Sequence, residues 1–165
     1  MKNQLIINNK EVELSPESWK AMEEQFKKKS FYPETGESIF YINFSGRGAE
    51  ILETRYNMDC KDIFDSGLAF KTRPEAESKL AEMQAITKVR KFIFEEGLEF
   101  EPDYRDFEQR KYNIYYSFEE ERFFSLYNDA CPEYSPFGYL KSEEDCEKVI
   151  ENCKDELDVI FKVKK

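Results

Sequence analysis

Residues 4–13, QLIINNKEVE, hold two short apolar runs on either side of Asn8, Asn9 and Lys10, the pattern of a β-hairpin closed by a polar turn. The period then changes. Ser15 stands before Pro16, a residue suited to the first position of a helix. Trp19, Met22 and Phe26 recur on one helical face, with Lys20, Glu23, Glu24 and Lys27 away from it. Pro33 and Gly36 interrupt this pattern and predict a polar connection.

Two longer stretches follow one plan. SIFYINFS (38–45) and KYNIYYSF (111–118) are aromatic and β-branched runs leading into turns, GRG in the first and EEE in the second. ILETRYNMDC (51–60) then aligns with RFFSLYNDAC (122–131), sharing Tyr56, Asn57 and Cys60 with Tyr127, Asn128 and Cys131. After the loss of one residue, FKTRPEAE (70–77) aligns with LKSEEDCE (140–147). Each copy predicts a strand pair, a third short strand and a capped helix. Thr72 and Glu75 form a capping box, Ser142 and Asp145 a version with the shorter carboxylate, and Pro74 fits a first turn whose N–H groups need no helical partner. Ala76, Leu80, Met83, Ile86 and Ile93 line one face of the first helix; Cys146, Val149, Ile150, Cys153, Leu157 and Ile160 line one face of the second.

The expected architecture is therefore α+β: two tandem strand-strand-strand-helix repeats, each a small antiparallel sheet with a helix on one face, preceded by a β-hairpin and a helix. Its boundaries fall at 1–37 for the N-terminal hairpin and helix, 38–97 for repeat 1, 98–110 for a charged linker containing Pro102, and 111–165 for repeat 2.

At 165 residues, with 40% hydrophobic and 16% aromatic content, the chain has the material for one core or two small ones. The net charge of -10, concentrated toward residues 112–165, repels nucleic-acid phosphates and favours basic partners. No window approaches the roughly 18–20 apolar residues needed to span a bilayer, and MKNQLIINNKEVEL lacks the apolar centre of a signal peptide. A cytoplasmic protein with no membrane partner is expected, with Cys60, Cys131, Cys146 and Cys153 as thiols.

Composition also removes several chemistries. The chain has no histidine, so Ser-His and Cys-His nucleophile pairs are absent. SGRGAE lacks both the spacing and the Lys-Ser/Thr of a phosphate-binding loop, and no cysteine pair has zinc-knuckle spacing. No enzyme activity, cofactor or metal is expected. Glu119, Glu120 and Glu121 fall at a hairpin turn; Glu143, Glu144 and Asp145 fall in the first turn of a helix, where the dipole favours negative charge. Tyr112, Tyr115, Tyr116, Phe123, Phe124 and Tyr127 supply a second sheet with aromatics, half of which must face its helix.

The order of an I-x-N-x-K-E-V-E-L-S hairpin, a G-x-x-F-K-T-x-x-E-A-E helix entry, K-Y-x-I-Y-Y and K-S-E-E-D-x-E resembles a loose group of small accessory proteins encoded by bacteriophages and prophages of Gram-positive bacteria. TRPEAE with its proline and the acidic EEER turn depart from that pattern. The resemblance implies a phage product acting in the host cytoplasm, from a class rich in inhibitors of host defence nucleases. The function expected is binding of a host protein, in its sharpest form an anti-CRISPR-like inhibitor of a nucleic-acid-binding nuclease, by steric occlusion or by nucleic-acid mimicry. Direct nucleic-acid binding is not expected. Partner contact is assigned to Glu119, Glu120, Glu121, Glu143, Glu144, Tyr115, Tyr116 and Tyr134. Two alternatives stand beside it: a metal-dependent hydrolase using the acidic clusters, and a single-stranded nucleic-acid binder stacking bases on the sheet tyrosines.

Overall fold

The computed structural model describes residues 4–7, 10–13, 15–26, 30–46, 48–106, 108–128 and 135–163. β1 (Gln4–Ile7) and β2 (Lys10–Glu13) form the N-terminal hairpin, with Leu5 opposite Val12. Helix α1 (Pro16–Phe26) follows, and Ser15 Oγ accepts from Ser18 N–H at 3.1 Å, so the expected cap is present.

The first sheet contains β3 (Ser38–Ser45), β4 (Gly48–Arg55) and β5 (Ala69–Phe70) in the antiparallel order β4-β3-β5. Both of its faces are covered. Ile39 and Tyr41 face one way, onto Tyr56, Cys60, Phe64 and Ala69. This core is closed by a 3-10 turn at Met58–Cys60 and helix α2 (Lys61–Asp65), the turn being capped by Asn57, whose Oδ1 accepts from Asp59 and Cys60 N–H. Phe40 and Phe44 face the other way, toward α3 (Arg73–Glu95): the Arg73 guanidinium lies over the Phe40 ring, and Phe44 shares a cleft with Leu80 and Met83.

The second sheet is the β6 (Lys111–Ser117) and β7 (Arg122–Asn128) hairpin. A third short strand is reduced to a backbone bridge between Leu140 and Tyr112. Phe70 pairs with Phe40 and Leu140 with Tyr112, each two residues ahead of its helix cap, so the two copies share a hairpin, an antiparallel third segment and a capped helix. Thr72 Oγ1 accepts from Glu75 N–H at 3.4 Å while the Glu75 carboxylate accepts from Thr72 N–H at 3.1 Å, completing the capping box. Ser142 Oγ accepts from Asp145 N–H at 3.1 Å. Thr72→Ala should lower unfolding free energy by about 1 kcal/mol, the usual worth of a cap; an unchanged urea midpoint would refute that role.

The Tyr-Asn-x-x-Cys pair, in contrast, is not structurally equivalent. Tyr56 lies beyond the end of β4 and is buried, whereas Tyr127 lies within β7, opposite Tyr112 and half exposed. In the first copy the position opposite Phe40 belongs to Glu53. The hairpin loops explain the slip: Ser45 and Gly48 close a shorter turn than Ser117 and Arg122, so the same sequence distance ends at a different point on the ladder. Cys131 lies outside the described residues.

The sequence assigns α3 to the first sheet, and its N-terminal half does pack there. Its C-terminal half goes further. Val89 and Ile93 are buried in the second core with Ile114, Phe123, Phe137, Leu140, Cys146, Val149, Cys153 and Leu157. A helix of 23 residues is about 35 Å long, more than a small sheet can cover, and the remainder is buried on its neighbour. The stripe rotates accordingly: Ala85 and Val89 are buried, while Leu80, Met83 and Ile86 are only half-buried. The second stripe is split as well. The chain leaves helical geometry at Cys153 (φ -119°, ψ 27°), giving α4 (Glu143–Asn152) and α5 (Lys154–Ile160). This break lets α4 lie on β6 and β7 while α5 packs on α3.

Residues 98–110 are likewise integrated. Leu98 packs on the second core, Phe100 bridges Tyr139, and the buried Lys111 donates through Nζ to the carbonyls of Asp106 and Gln109 at 3.0 and 2.8 Å. Among the described residues, no helix is long and apolar enough to cross a membrane.

Candidate protein-binding surface

Side chains alternate across β6, so adjacent tyrosines part company. Tyr112, Ile114 and Tyr116 point to the α4 side with Phe123. Tyr116 is half-buried there, edge-on to Phe118 and Phe123 at ring separations of 5.0 and 4.9 Å. Tyr115 points to the opposite face. Its cross-strand partner is Phe124, and the two rings stack at 5.4 Å with an 18° interplanar angle. Leu126, on that same face, is 44% exposed.

The aromatic pair is coupled to the acidic turn through one arginine. The Arg122 guanidinium lies 4.0 Å from the Phe124 ring centroid and pairs with the Glu120 carboxylate at 2.7 Å, so cation, ring and anion form one connected group. Glu119, Glu120 and Glu121 are all exposed on the β6–β7 turn, with Glu120 N–H donating to Ser117 Oγ at 3.2 Å. The result is an apolar centre of Tyr115, Phe124 and Leu126 beside a negatively charged rim.

Glu143 and Glu144 are elsewhere. They are exposed in the first turn of α4, just beyond the Leu140–Tyr112 bridge, whereas the acidic turn follows Ser117 at the other end of β6. A strand of this length separates the two clusters by about 20 Å. Asp145, predicted as part of the second cluster, is tied to its cap and lies 3.9 Å from Lys148. Tyr134 lies outside the described residues.

This separation bears on the hydrolase alternative, which draws on both clusters. Among the described residues, no three His, Cys, Asp or Glu side chains converge on one point. Cys60 belongs to the first core; Cys146 and Cys153 belong to the second, and all three are buried free thiols. Burial, reinforced by nearby Asp145, Glu143 and Glu147, pushes the Cys146 thiol up to about 12, and burial raises Cys153 in the same direction. Such thiols behave as small core hydrophobes.

Arg122 and Leu126 were not among the residues assigned from the sequence. The signal that finds them is hairpin register: once Tyr115 is opposite Phe124, alternation places Arg122 and Leu126 on the same face as the stack. No protein-family model, curated protein or solved structure matches the chain. The phage resemblance therefore rests on the sequence motifs quoted above.

Proposed function

We propose that this chain is a protein-binding module that covers a basic, nucleic-acid-handling surface of a host protein, as a phage-encoded inhibitor of a defence nuclease would. The observation that carries this reading is the Tyr115–Phe124 stack, its tyrosine exposed and its phenylalanine half-buried, with exposed Leu126 beside it, connected by Arg122 to the acidic turn. Aromatic and arginine side chains at the centre of a patch, with charge at its rim, are the usual composition of an energetic interface centre. A net charge of -10 directs that patch toward a basic partner.

Occlusion fits better than mimicry of a duplex, because the two acidic clusters sit at opposite ends of β6 and do not form one continuous array. Base stacking on Tyr115 is disfavoured by the same charge, since carboxylates beside the rings repel the phosphates that must accompany the bases. The test is affinity capture of the tagged chain from a Gram-positive host lysate, with and without nuclease treatment. A stoichiometric basic protein retained after treatment supports the proposal. Recovery that disappears on treatment means the chain binds nucleic acid and overturns it.

A further inference from the structure

A cleft of about 300 Å³ lies between the β6–β7 turn and the end of α5, lined by Tyr116, Phe118, Glu121, Lys162 and Val163. Its two charged residues share a second property. Among the described residues they are the only non-glycine residues with left-handed backbone, at φ 52° for Glu121 and 55° for Lys162. Lys162 follows the last turn of α5, where its N–H donates to the Val159 carbonyl at 3.3 Å and the Val163 N–H donates to the Asp158 carbonyl at 2.9 Å. Glycine usually makes that closure, because it adopts left-handed backbone without strain. Glu121 occupies the equivalent kind of position in the turn between Ser117 and Arg122, directly before β7 resumes. A charged side chain replaces glycine at both places, and both line the same cleft.

The two charges do not pair with each other. Among the described residues neither has an ion-pair partner, since Arg122 takes Glu120 and Lys154 takes Asp158. The walls between them are aromatic and aliphatic. Phe118 is 73% exposed and stands edge-on to Tyr116, while Val163 packs on the second core and so fixes one side of the cleft. Tyr116 belongs to the α4 face of its strand, so this cleft is distinct from the Tyr115–Phe124 surface.

We infer that this cleft binds a small zwitterion, an α-amino acid with an apolar or aromatic side chain. Its carboxylate meets the Lys162 ammonium, its ammonium meets the Glu121 carboxylate, and its side chain lies against Phe118 and Val163. A ligand with both charges satisfies both groups. A lone anion would face the Glu121 carboxylate and a lone cation the Lys162 ammonium, so the site discriminates against each by repulsion. Apolar walls with a few convergent polar groups, in a volume at the small end of the range, are the usual make-up of a small-ligand site. The strained backbone agrees with this, because non-glycine left-handed residues collect where the side chain has a task.

L-Phenylalanine and L-leucine are the probes, titrated into the isotope-labelled full chain and followed by amide chemical shifts. At least one should move the Glu121, Lys162 and Val163 signals together and saturably. A dissociation constant on the order of 1 mM or tighter is expected for a ligand of about a dozen non-hydrogen atoms. Phenethylamine, which lacks the carboxylate, and 3-phenylpropionate, which lacks the ammonium, should each bind at least about tenfold more weakly than L-phenylalanine. Glu121→Gly and Lys162→Gly should each abolish the saturable shifts while the thermal midpoint stays at or above the wild-type value, since glycine relieves the backbone. Absence of saturable shifts with both amino acids would overturn the inference, as would either truncated analogue binding as tightly as L-phenylalanine. So would a midpoint lowered by the glycine variants and recovered in the exchanged pair Glu121→Lys with Lys162→Glu, which would show that the two charges only tie the turn to the end of α5.

Discussion

A chain shortened to residues 98–165 should not fold cooperatively, although it contains the whole of the second repeat. Its core is completed from outside that boundary by Val89 and Ile93 of α3, with Phe92 packed against them. Each such side chain contributes about 1.5–3 kcal/mol on burial, and their loss also uncovers Leu157 and Val149, both fully buried in the intact protein. A single core in about 70 residues rarely supplies more than about 3–5 kcal/mol, so removing these groups consumes the entire margin. Within the full chain, Val89→Asp should act through the same contact and cost more than about 4 kcal/mol, because an uncompensated carboxylate would replace a buried methyl-bearing side chain. Thermal unfolding followed by near-ultraviolet circular dichroism checks both. A sharp native-like transition in the isolated fragment would show that the second repeat is self-sufficient.

Truncating either ring of the stack, Tyr115→Ala or Phe124→Ala, should weaken binding to the captured partner by about 2 kcal/mol, or about 30-fold in Kd. Reversing Glu119, Glu120 and Glu121 to lysine should instead slow association and flatten the salt dependence, since charges at an interface rim steer encounter more than they hold the complex. Reversing Glu143 and Glu144 should change affinity little, because they lie at the far end of β6. The thermal midpoint of the Glu119, Glu120 and Glu121 variants should remain near that of the wild type, as exposed charges contribute little to stability, while reversal at Glu143 and Glu144 should lower it modestly by opposing the α4 dipole. Surface plasmon resonance from 0.1 to about 0.5 M salt, where the Debye length falls from about 10 Å to under about 5 Å, resolves these effects. Equal losses from reversal at both ends of β6, with the rings dispensable, would replace occlusion by mimicry.

Local signals in the chain determined a good deal. The two apolar runs either side of Asn8-Asn9-Lys10, Ser15 before Pro16, and the Thr72 and Ser142 caps specified the first hairpin and where three of the helices begin, because hairpin pairing and caps are satisfied by residues only a few positions apart. Alternation in KYNIYYS likewise specified that Tyr115 and Tyr116 take opposite faces. Tertiary packing decided the rest. The Tyr-Asn-x-x-Cys similarity did not survive as equivalence, since the length of each hairpin turn sets cross-strand register independently of residue identity. The apolar stripe of α3 did not state which sheet it would cover; burial depended on the second repeat arriving alongside, and small Ala85 became a core residue beside α5 while larger Leu80 and Met83 were left at a cleft. Clusters of glutamate that look alike in sequence came to lie about 20 Å apart for the same reason: a strand carries one end of its hairpin away from the other, and only the folded backbone determines which charges share a surface.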